Sequence, residues 1–436
     1  MKSSIVTVAG RQVWDSRGRP TVEAEVALAG GAVGRAIAPA GASRGAHEAV
    51  DRRDGGVRFG GMGVNGAVAA VRGEIHAALA GLDATDQAGV DARLEALDGT
   101  AALARLGANA TTAVSLATAQ AAAAAGGEPL WRRLAQGRAV RTPLPEVQIF
   151  GGGAHAGRRT DVQDFMVVAP GAGSVRRALE IAADIYRAAG TLMEARGAAA
   201  GVADEGGWWP SFESNEAALE VLLRAIERGG YRPGEEVFIS LDVAANELFA
   251  EGRYRMALDD AALTSAAMVE RIAGWARRYP ILSIEDPVAQ DDFDGMALAT
   301  GALGDTVQMI GDDLLVTSAA RVETAAAAGA CNALLVKVNQ AGTLTRARRA
   351  LEAARGRGWG TIVSARSGET EDVAIAHLAV GWDAGQIKVG SFARSERMAK
   401  WNELLRIEEA LGADAVFAGW DAFCPGVAAG KGARPA

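Results

Sequence analysis

The sequence is poor in cysteine, in long apolar runs and in clustered positive charge, and each shortage excludes a class of protein. Its only cysteines, Cys331 and Cys424, lie far apart and cannot form a disulfide framework. The N-terminal stretch MKSSIVTVAG lacks the apolar core of a signal peptide. Apolar runs such as residues 121–125 fall well short of the roughly 18 residues that cross a bilayer. We therefore expect a cytoplasmic protein with no membrane segment.

Positive charge is scarce as well. The formal net charge is -8 and no dense block of lysine and arginine occurs, which argues against nucleic acid as a partner. Any anionic ligand must then be held by local positive charge. Hydrophobic residues make up 49% of the chain, enough for large buried cores. At 436 residues the chain exceeds one average domain, and we expect two.

The first part of the chain predicts a small α+β domain. Residues 5–29 alternate apolar and polar positions around the turn-forming stretch DSRGRP, a pattern typical of antiparallel sheet. Alanine and leucine at helical spacing follow over residues 66–82 and 108–126, and a proline-containing stretch at 142–145 ends this pattern. We place the domain boundary there, between an N-terminal domain of residues 1–141 and a catalytic domain of residues 142–436.

The second part repeats one pattern, a short apolar run that ends in charge and precedes helical sequence. The runs are VFISLD, PILSIED, VQMIGDD, NALLVK, GTIVSARS and GQIKVGS. Their charged ends are Asp242, Glu285, Asp312, Lys337, Arg366 and Lys388, which follow one another at intervals of 43, 27, 25, 29 and 22 residues. Each interval is close to one βα unit, so the pattern predicts a βα (TIM-like) barrel with all six side chains at its catalytic rim.

Three of these charged ends are carboxylates, and their position on one rim predicts a metal site. Asp242, Glu285 and Asp312 would repel one another on one rim unless a cation neutralised them, and an all-oxygen ligand set suits magnesium. The alternative, that a terminal aspartate only caps the next helix, is equally good for Asp242 or Asp312 taken alone. The succession of six charged strand ends favours a metal site over helix capping. A neighbouring cation lowers the pKa of a lysine, so Lys337 and Lys388 are candidates for a neutral amine that acts as base.

Arg366 and Ser367 predict a phosphate site. A forked guanidinium beside a hydroxyl suits a phosphate group. The alternative is a structural salt bridge between Arg366 and Glu369 or Glu371.

Three glycine-containing loops carry the remaining candidates. Glu205 lies in DEGG, where a carboxylate can act as acid or base close to a ligand, although this signal is weak alone. His155 lies in GGGAHAG, a loop too rich in glycine for a packed core, which favours a functional role over a structural hydrogen bond. Ser43 and Arg44 lie in GASRG, which has the composition of a mobile lid or of an ordinary surface turn.

Nine strings occur in order along the chain: WDSRGRPTVEAEV, GASRGAHEA, DEGG, SIEDP, GDDLLVT, LVKVNQAGTLT, RSGETED, QIKVGS and ARSERMAKWNELLRIEEALG. Together they make the chain resemble the enolase family over nearly its whole length. The resemblance implies an N-terminal α+β domain, a modified eight-stranded βα barrel, two magnesium ions per active site and a homodimer or larger homo-oligomer. It implies a reaction that interconverts 2-phosphoglycerate and phosphoenolpyruvate with loss or gain of water.

The resemblance also implies a role for each matching residue. Asp242, Glu285 and Asp312 match the metal ligands, Lys337 the base that takes the α-proton, Lys388 a contact to the substrate carboxylate, and Glu205 the acid that acts on the leaving hydroxyl. Arg366 and Ser367 match the phosphate-binding pair, Ser43 the lid serine that reaches a second magnesium, and His155 the histidine of a mobile loop. In such a site the metal stabilises the enolate that forms when the α-proton leaves.

Three positions depart from the family pattern. Ala365 replaces the histidine of SHRSGETED, Asp164 in VQDFM replaces the glutamate of QEF, and Arg44 replaces the threonine of GASTG. The first two groups belong, in the family, to the pocket around the leaving hydroxyl, which should therefore be larger and less acidic here.

Arginines on nearby segments add positive charge. Arg44, Arg158 and Arg159 lie on segments that border the active site in the family, which favours an additional anion. The alternative is that these arginines are solvated loop residues and that the alanine is a neutral change.

We therefore hypothesise that a larger anion replaces water in the reaction. In this respect the chain resembles the enolase-related carboxyphosphonoenolpyruvate synthases of phosphonate natural-product biosynthesis, which join an enolpyruvyl unit to phosphonoformate. The alternative is an ordinary glycolytic enolase. An inactive enolase-like binding protein is disfavoured by the complete metal triad and both lysines. All expected substrates are small anions: a phosphoglycerate or enolpyruvyl phosphate, with phosphonoformate as co-substrate.

Overall fold

A computed structural model describes residues 1–198, 200–209 and 211–430 of the chain. It begins with an antiparallel sheet of three strands paired in chain order: β1 (Ile5–Trp14), β2 (Pro20–Leu28) and β3 (Val33–Ile37). The turn between the first two strands is held by Asp15, whose Oδ1 accepts hydrogen bonds from the backbone N–H groups of Arg17 and Arg19 at 2.9 and 2.8 Å. An aspartate that binds the backbone two residues on is a common turn device.

Five helices complete the N-terminal part: α1 (Asn65–Ala70), α2 (His76–Leu79), α3 (Gln87–Asp98), α4 (Ala108–Gly126) and α5 (Leu130–Ala135). Helix α4 is rich in alanine and packs against both β2 and β3. Its small side chains allow close approach, and at Gly34 a Cβ atom would lie 2.2 Å from Ala117 O and from Ala121 N. Thr111 of α4 donates a hydrogen bond to Gly342 O at 2.8 Å, so this helix also contacts the barrel domain.

The second part of the chain forms a closed eight-stranded barrel. In spatial order its strands are β10 (Ile281–Glu285), β11 (Gln308–Gly311), β12 (Ala333–Val336), β13 (Gly360–Ser364), β14 (Gly385–Gly390), β4 (Leu144–Gly151), β5 (Asp164–Val168) and β6 (Phe238–Asp242). Strand β5 runs antiparallel to both neighbours, and the other pairs are parallel. The expected α/β class, with an N-terminal α+β domain before a modified βα barrel, is confirmed.

A small antiparallel sheet and the outer helices surround this barrel. The sheet comprises β7 (Phe249–Ala250), β8 (Arg253–Met256) and β9 (Ala261–Leu263). The helices are α6 (Val175–Ala195), α7 (Asn215–Arg228), α8 (Ser265–Arg278), α9 (Phe293–Leu303), α10 (Ala319–Ala328), α11 (Val338–Ala341), α12 (Leu344–Gly356), α13 (Ala374–Gly381), α14 (Ser395–Leu411) and α15 (Pro425–Gly430). Among the described residues, no helix is both long and apolar enough to cross a membrane.

The barrel strands are buried on both faces, as expected when helices cover a mostly parallel sheet. Some of the buried interior is polar: Ser240 Oγ donates to Glu146 Oε2 at 2.8 Å, and Gln308 Nε2 donates to Ser283 Oγ at 3.0 Å. Both cysteines are free and buried. Because the strands share one direction apart from β5, their C-terminal ends meet at one mouth.

Candidate active site

One cavity at the barrel mouth gathers most of the predicted residues. Those that line it are Ser43, His155, Asp164, Glu205, Asp242, Lys337, Ala365, Arg366, Ser367 and Lys388. Its free volume is about 20 Å³, room for little more than one water molecule. Side chains therefore fill most of the site, and a substrate can enter only if some of them move.

Lys388 lies at the centre of three carboxylates. Glu285 on β10 and Asp164 on β5 both lie opposite Asp242 on β6, so strand register brings these acids together. Lys388 Nζ donates to Asp242 Oδ2 and to Glu285 Oε2, both at 2.7 Å, and lies 3.4 Å from Asp164 Oδ2. Burial alone would lower the pKa of Lys388, but these carboxylates raise it well above its ordinary value.

The other lysine of the cavity is paired with the third predicted metal ligand. Lys337 Nζ forms an ion pair with Asp312 Oδ2, and Gln340 Nε2 donates to Asp312 Oδ1 at 2.8 Å. Burial lowers the pKa of Lys337, but the charges of Asp312 and Glu285 together raise it by more, so the pKa lies above the ordinary value. Burial raises the pKa of Asp312, but Lys337 and Arg366 together lower it by more.

The carboxylates fit a hard cation. Glu285 is fully buried, its Oε1 has no hydrogen-bond partner, and burial together with the charge of Asp242 raises its pKa well above the ordinary value. An unpaired buried carboxylate oxygen is costly unless a cation or donor reaches it. Asp242, Glu285 and Asp312 offer oxygen ligands only, which is the chemistry that Mg²⁺ requires. In the structure lysine ammonium groups supply the counter-charge.

Two compact groups of possible ligand atoms occur among the described residues, and neither is the predicted triad. In each group the atoms lie within 4.8 Å of one another: His155, Asp164 and Glu205 form the first, and Asp286, Asp312 and Asp313 the second. The second group has a structural cause, because Asp286 accepts the backbone N–H groups of Asp312 and Asp313 at 2.9 and 2.6 Å. Asp286 therefore fixes the position of Asp312 at the end of β11.

The first group forms an acidic wall around one histidine. His155 Nδ1 lies 3.7 Å from Asp164 Oδ1 and 3.8 Å from Glu205 Oε1. Burial lowers the pKa of His155, but Glu205 and Asp164 raise it above its ordinary value. Burial raises the pKa of Asp164, whereas Lys388 and His155 lower it by more. The two carboxylates therefore favour the protonated form of His155.

Two of the three departures from the family pattern, Ala365 and Asp164, line this cavity. Ala365 lines the cavity with a methyl group, where an imidazole would otherwise reach in. Asp164 Oδ1 accepts a hydrogen bond from Gln148 Nε2, and Gln148 Oε1 accepts Gly207 N at 2.8 Å. Gln148 thus ties the shortened acid to the loop that carries Glu205.

The predicted phosphate-binding pair contacts the lid segment. Arg366 Nη1 donates to Glu48 Oε2 at 3.0 Å and to Asn339 Oδ1 at 2.9 Å, while its Nη2 donates to Ser43 O at 3.1 Å. Ser367 Oγ accepts the backbone N–H of Ala42 at 2.6 Å. The guanidinium therefore pairs with Glu48 and not with Glu369 or Glu371, the two predicted alternatives. The contact between Arg366 and Glu369 is instead a hydrogen bond from the Arg366 backbone N–H to the Glu369 carboxylate, at 3.0 Å.

Three arginines of interest lie outside the cavity. Arg44 is exposed to solvent. Arg158 pairs with Glu247 at 2.7 Å, and the guanidinium of Arg159 stacks over the Trp209 ring at 5.1 Å. None of the three lines the active-site cavity.

Four further side chains contact the predicted site residues, although no sequence pattern indicates them. Besides Glu48 and Gln340, Gln163 Nε2 donates to Asp242 Oδ2 at 3.0 Å, and Arg17 Nη1 donates to Ser367 Oγ at 3.2 Å. Gln163 Oε1 is buried without a partner at the cavity. Arg17, Glu48 and Gln340 lie inside the strings that carry the family resemblance, and Gln163 lies in VQDFM. The long-range contacts of these side chains leave no local signal in the sequence.

Lysine is rare in this chain, and two of the four lysines in the described part are buried. Of five lysines, Lys337 and Lys388 line the cavity, and Lys400 is fully buried against Glu369 Oε2 at 3.0 Å. Lys2 is exposed, and Lys431 lies outside the described residues.

Two family models match nearly the whole chain. The model described as the N-terminal domain of enolase matches residues 5–134. The model described as the C-terminal TIM barrel domain of enolase matches residues 139–425.

Proposed function

Because this chain belongs to the enolase family, we propose that it is a magnesium-dependent lyase that removes the α-proton of 2-phosphoglycerate and forms an enolpyruvyl product. The observation that supports this most is the meeting of Lys337, Lys388, Arg366 and Ser367 in one cavity beside buried carboxylates. A base, an anchor for a carboxylate and a phosphate site are the three groups that such a substrate requires.

Each residue has a proposed task. Lys337 takes the proton, Lys388 holds the substrate carboxylate, and Arg366 with Ser367 holds the phosphate. Asp242, Glu285 and Asp312 hold Mg²⁺, with Ser43 reaching a second ion, and the metal stabilises the charge of the enolate when bound. Glu205, with His155 and Asp164 beside it, delivers a proton to the leaving hydroxyl. We also propose that residues 1–141 and 142–436 form the two domains and that the protein assembles as a homodimer or larger oligomer.

We further propose that a larger anion such as phosphonoformate takes part, as in carboxyphosphonoenolpyruvate synthase. Ala365 and Asp164 support this because both shorten side chains on the leaving-group side of the cavity. In the net reaction 2-phosphoglycerate loses water by cleavage of its C3–O bond, and a phosphonoformate oxygen bonds to C2 while the C2–O bond to phosphate breaks. The products are the condensed enolpyruvyl compound, water and phosphate. An ordinary glycolytic enolase is the second candidate, favoured by the preserved acid Glu205 next to His155.

Two assays separate the candidates. The first follows enolpyruvate absorbance with 2-phosphoglycerate and Mg²⁺, and turnover at the level of a glycolytic enolase would exclude the altered co-substrate. The second adds phosphonoformate and follows ³¹P NMR, in which we expect a new phosphonate signal and released phosphate. If both assays are silent and Mg²⁺ leaves the melting temperature unchanged, the inactive binding protein is the better description.

A further inference from the structure

A second, larger cavity lies away from the active site, between the N-terminal helices and the outer helices of the barrel. Its volume is about 760 Å³, within the usual range of small-molecule sites. One wall comes from the start of α3 and from α5, and the opposite wall comes from α12 and from Trp382 at the end of α13. None of its lining residues belongs to the proposed active site.

Four arginines line this cavity, two from each domain. Arg132 and Arg133 belong to α5, and Arg348 and Arg349 belong to α12. Two of the four are neutralised locally: Arg133 lies 3.5 Å from Glu128, and Arg348 donates to Glu352 at 2.8 Å.

The other two guanidinium groups, of Arg132 and Arg349, are exposed to solvent. Arg132 lies over the ring of Trp131 at 5.0 Å, and neither it nor Arg349 has a salt bridge or a side-chain hydrogen bond within residues 1–198, 200–209 and 211–430. The carboxylate of Asp86, also in the lining, caps α3, where it accepts Gly89 N at 2.9 Å. The lining thus carries four arginines against the carboxylates of Asp86, Glu128 and Glu352, a net charge of +1 in a chain whose net charge is -8.

The lining also has an apolar part with unsatisfied polar atoms. Leu134, Leu344 and Trp382 supply apolar surface. Trp382 is 3% exposed and its indole N–H has no acceptor, and Gln87 Oε1 is buried without a donor. Both atoms are shielded from solvent, so they add no exposed polar group to the cavity surface.

We propose that this cavity binds a phosphorylated organic molecule with an aromatic or broad apolar body. Guanidinium groups on both walls favour a dianionic phosphate over a neutral or cationic ligand. The volume and the apolar lining favour an organic body over inorganic phosphate. Because Arg132 lies in the N-terminal domain and Arg349 on the barrel, the ligand bridges the two domains and stabilises their contact. This proposal does not depend on which reaction the active site performs.

The test uses 1-naphthyl phosphate and isothermal titration calorimetry on the full chain, with inorganic phosphate and 1-naphthol as partial probes. We expect submillimolar binding of the complete probe, and at least tenfold weaker binding of either part. Arg132→Ala and Arg349→Ala should each weaken binding about fivefold or more. The matched control is Arg357→Ala, an exposed arginine that ends the same helix as Arg349 and pairs with Glu323 outside the cavity; it should bind like the wild type.

Further readouts make the outcome decisive. Ligand binding should raise the melting temperature of the wild type, since a ligand selective for the folded state stabilises it by mass action, and the two arginine variants should lose this shift. Turnover of 2-phosphoglycerate should be unchanged in all three variants. The proposal is overturned if the complete probe does not bind, if neither arginine substitution weakens it, or if phosphoenolpyruvate with Mg²⁺ displaces it and so places it in the active site.

Discussion

Replacement of Lys337 tests the centre of the proposed chemistry. In Lys337→Met the side chain keeps its length but loses the amine that pairs with Asp312 in the structure. In Lys337→Arg the positive charge remains, but a guanidinium stays protonated at any working pH and cannot accept a proton. Loss in both variants therefore identifies a base, whereas loss in the methionine variant alone identifies an ion pair that only supports the fold.

Loss of a general base should slow proton abstraction strongly. A positioned general base contributes about 10²- to 10⁴-fold in rate, which corresponds to about 3–5 kcal/mol of barrier. Both variants should therefore lose at least about 10²-fold of the proton-abstraction rate. The methionine variant should also be less stable, because the carboxylate of Asp312 keeps only the donor Gln340 in a buried site. The arginine variant should lose less stability.

The assay is exchange of the C2 proton of 2-phosphoglycerate with D₂O in the presence of Mg²⁺, followed by ¹H NMR. This partial reaction reports proton abstraction whatever group later leaves or arrives. Circular dichroism and thermal melts verify that each variant is folded. Exchange by Lys337→Arg within tenfold of the wild type would refute the assignment of Lys337 as the base.

Three further predictions concern the leaving-group side of the active site, the packing of the N-terminal sheet against α4, and the stability of the fold at acid pH. Ala365→His should raise the rate of 2-phosphoglycerate dehydration about tenfold or more, because it restores a proton donor to the cavity. Ala365→Leu fills the same space without a donor and should leave the rate unchanged. Equal rates in the two variants would show that the position is neutral. Gly34→Ala should cost about 3 kcal/mol of unfolding free energy in urea melts, because its Cβ would lie 2.2 Å from backbone atoms of α4, whereas Gly73→Ala meets nothing within 4 Å and should be neutral or stabilising. The hydrogen bond from His377 is the main cause that lowers the pKa of Glu403 to about 2. This carboxylate therefore stabilises the fold above pH 4.5 and loses that contribution as the pH falls from 4.5 to about 2. The unfolding free energy of Glu403→Gln should fall less steeply over this pH window than that of the wild type, and an unchanged slope would contradict the reasoning.

The barrel could be predicted from sequence because its strands end in a repeated signal. Runs such as VFISLD and NALLVK place Asp242 and Lys337 at strand ends, and closure of the sheet brings those ends to one mouth. Strands β4 and β5 carry no such charged ends and were not identified individually. Their antiparallel pairing follows from a connection over residues 152–163 that contains only a 3₁₀ turn, whereas a parallel pair requires a longer crossover, usually a helix.

The partners of the site residues could not be predicted, because they join distant parts of the chain. Glu48 and Arg366 are 318 residues apart, and nothing local to either position indicates that they pair. The same limit applies to the basic loop residues. The composition around Arg158 suggests an anion site, but a backbone φ of 57° and the proximity of Glu247 direct its side chain elsewhere.

The scarcity of lysine gives the molecule an unusual pattern of chemical reactivity. In the described part of the chain, the N-terminus and Lys2 are exposed to solvent, while Lys337 and Lys388 line the active-site cavity and Lys400 is fully buried. Reductive methylation or acylation should therefore modify the surface at few places and leave the arginine-rich exterior intact. Labelling of the two lysines of the cavity, read by peptide mass spectrometry, then measures how often that cavity becomes accessible to the reagent.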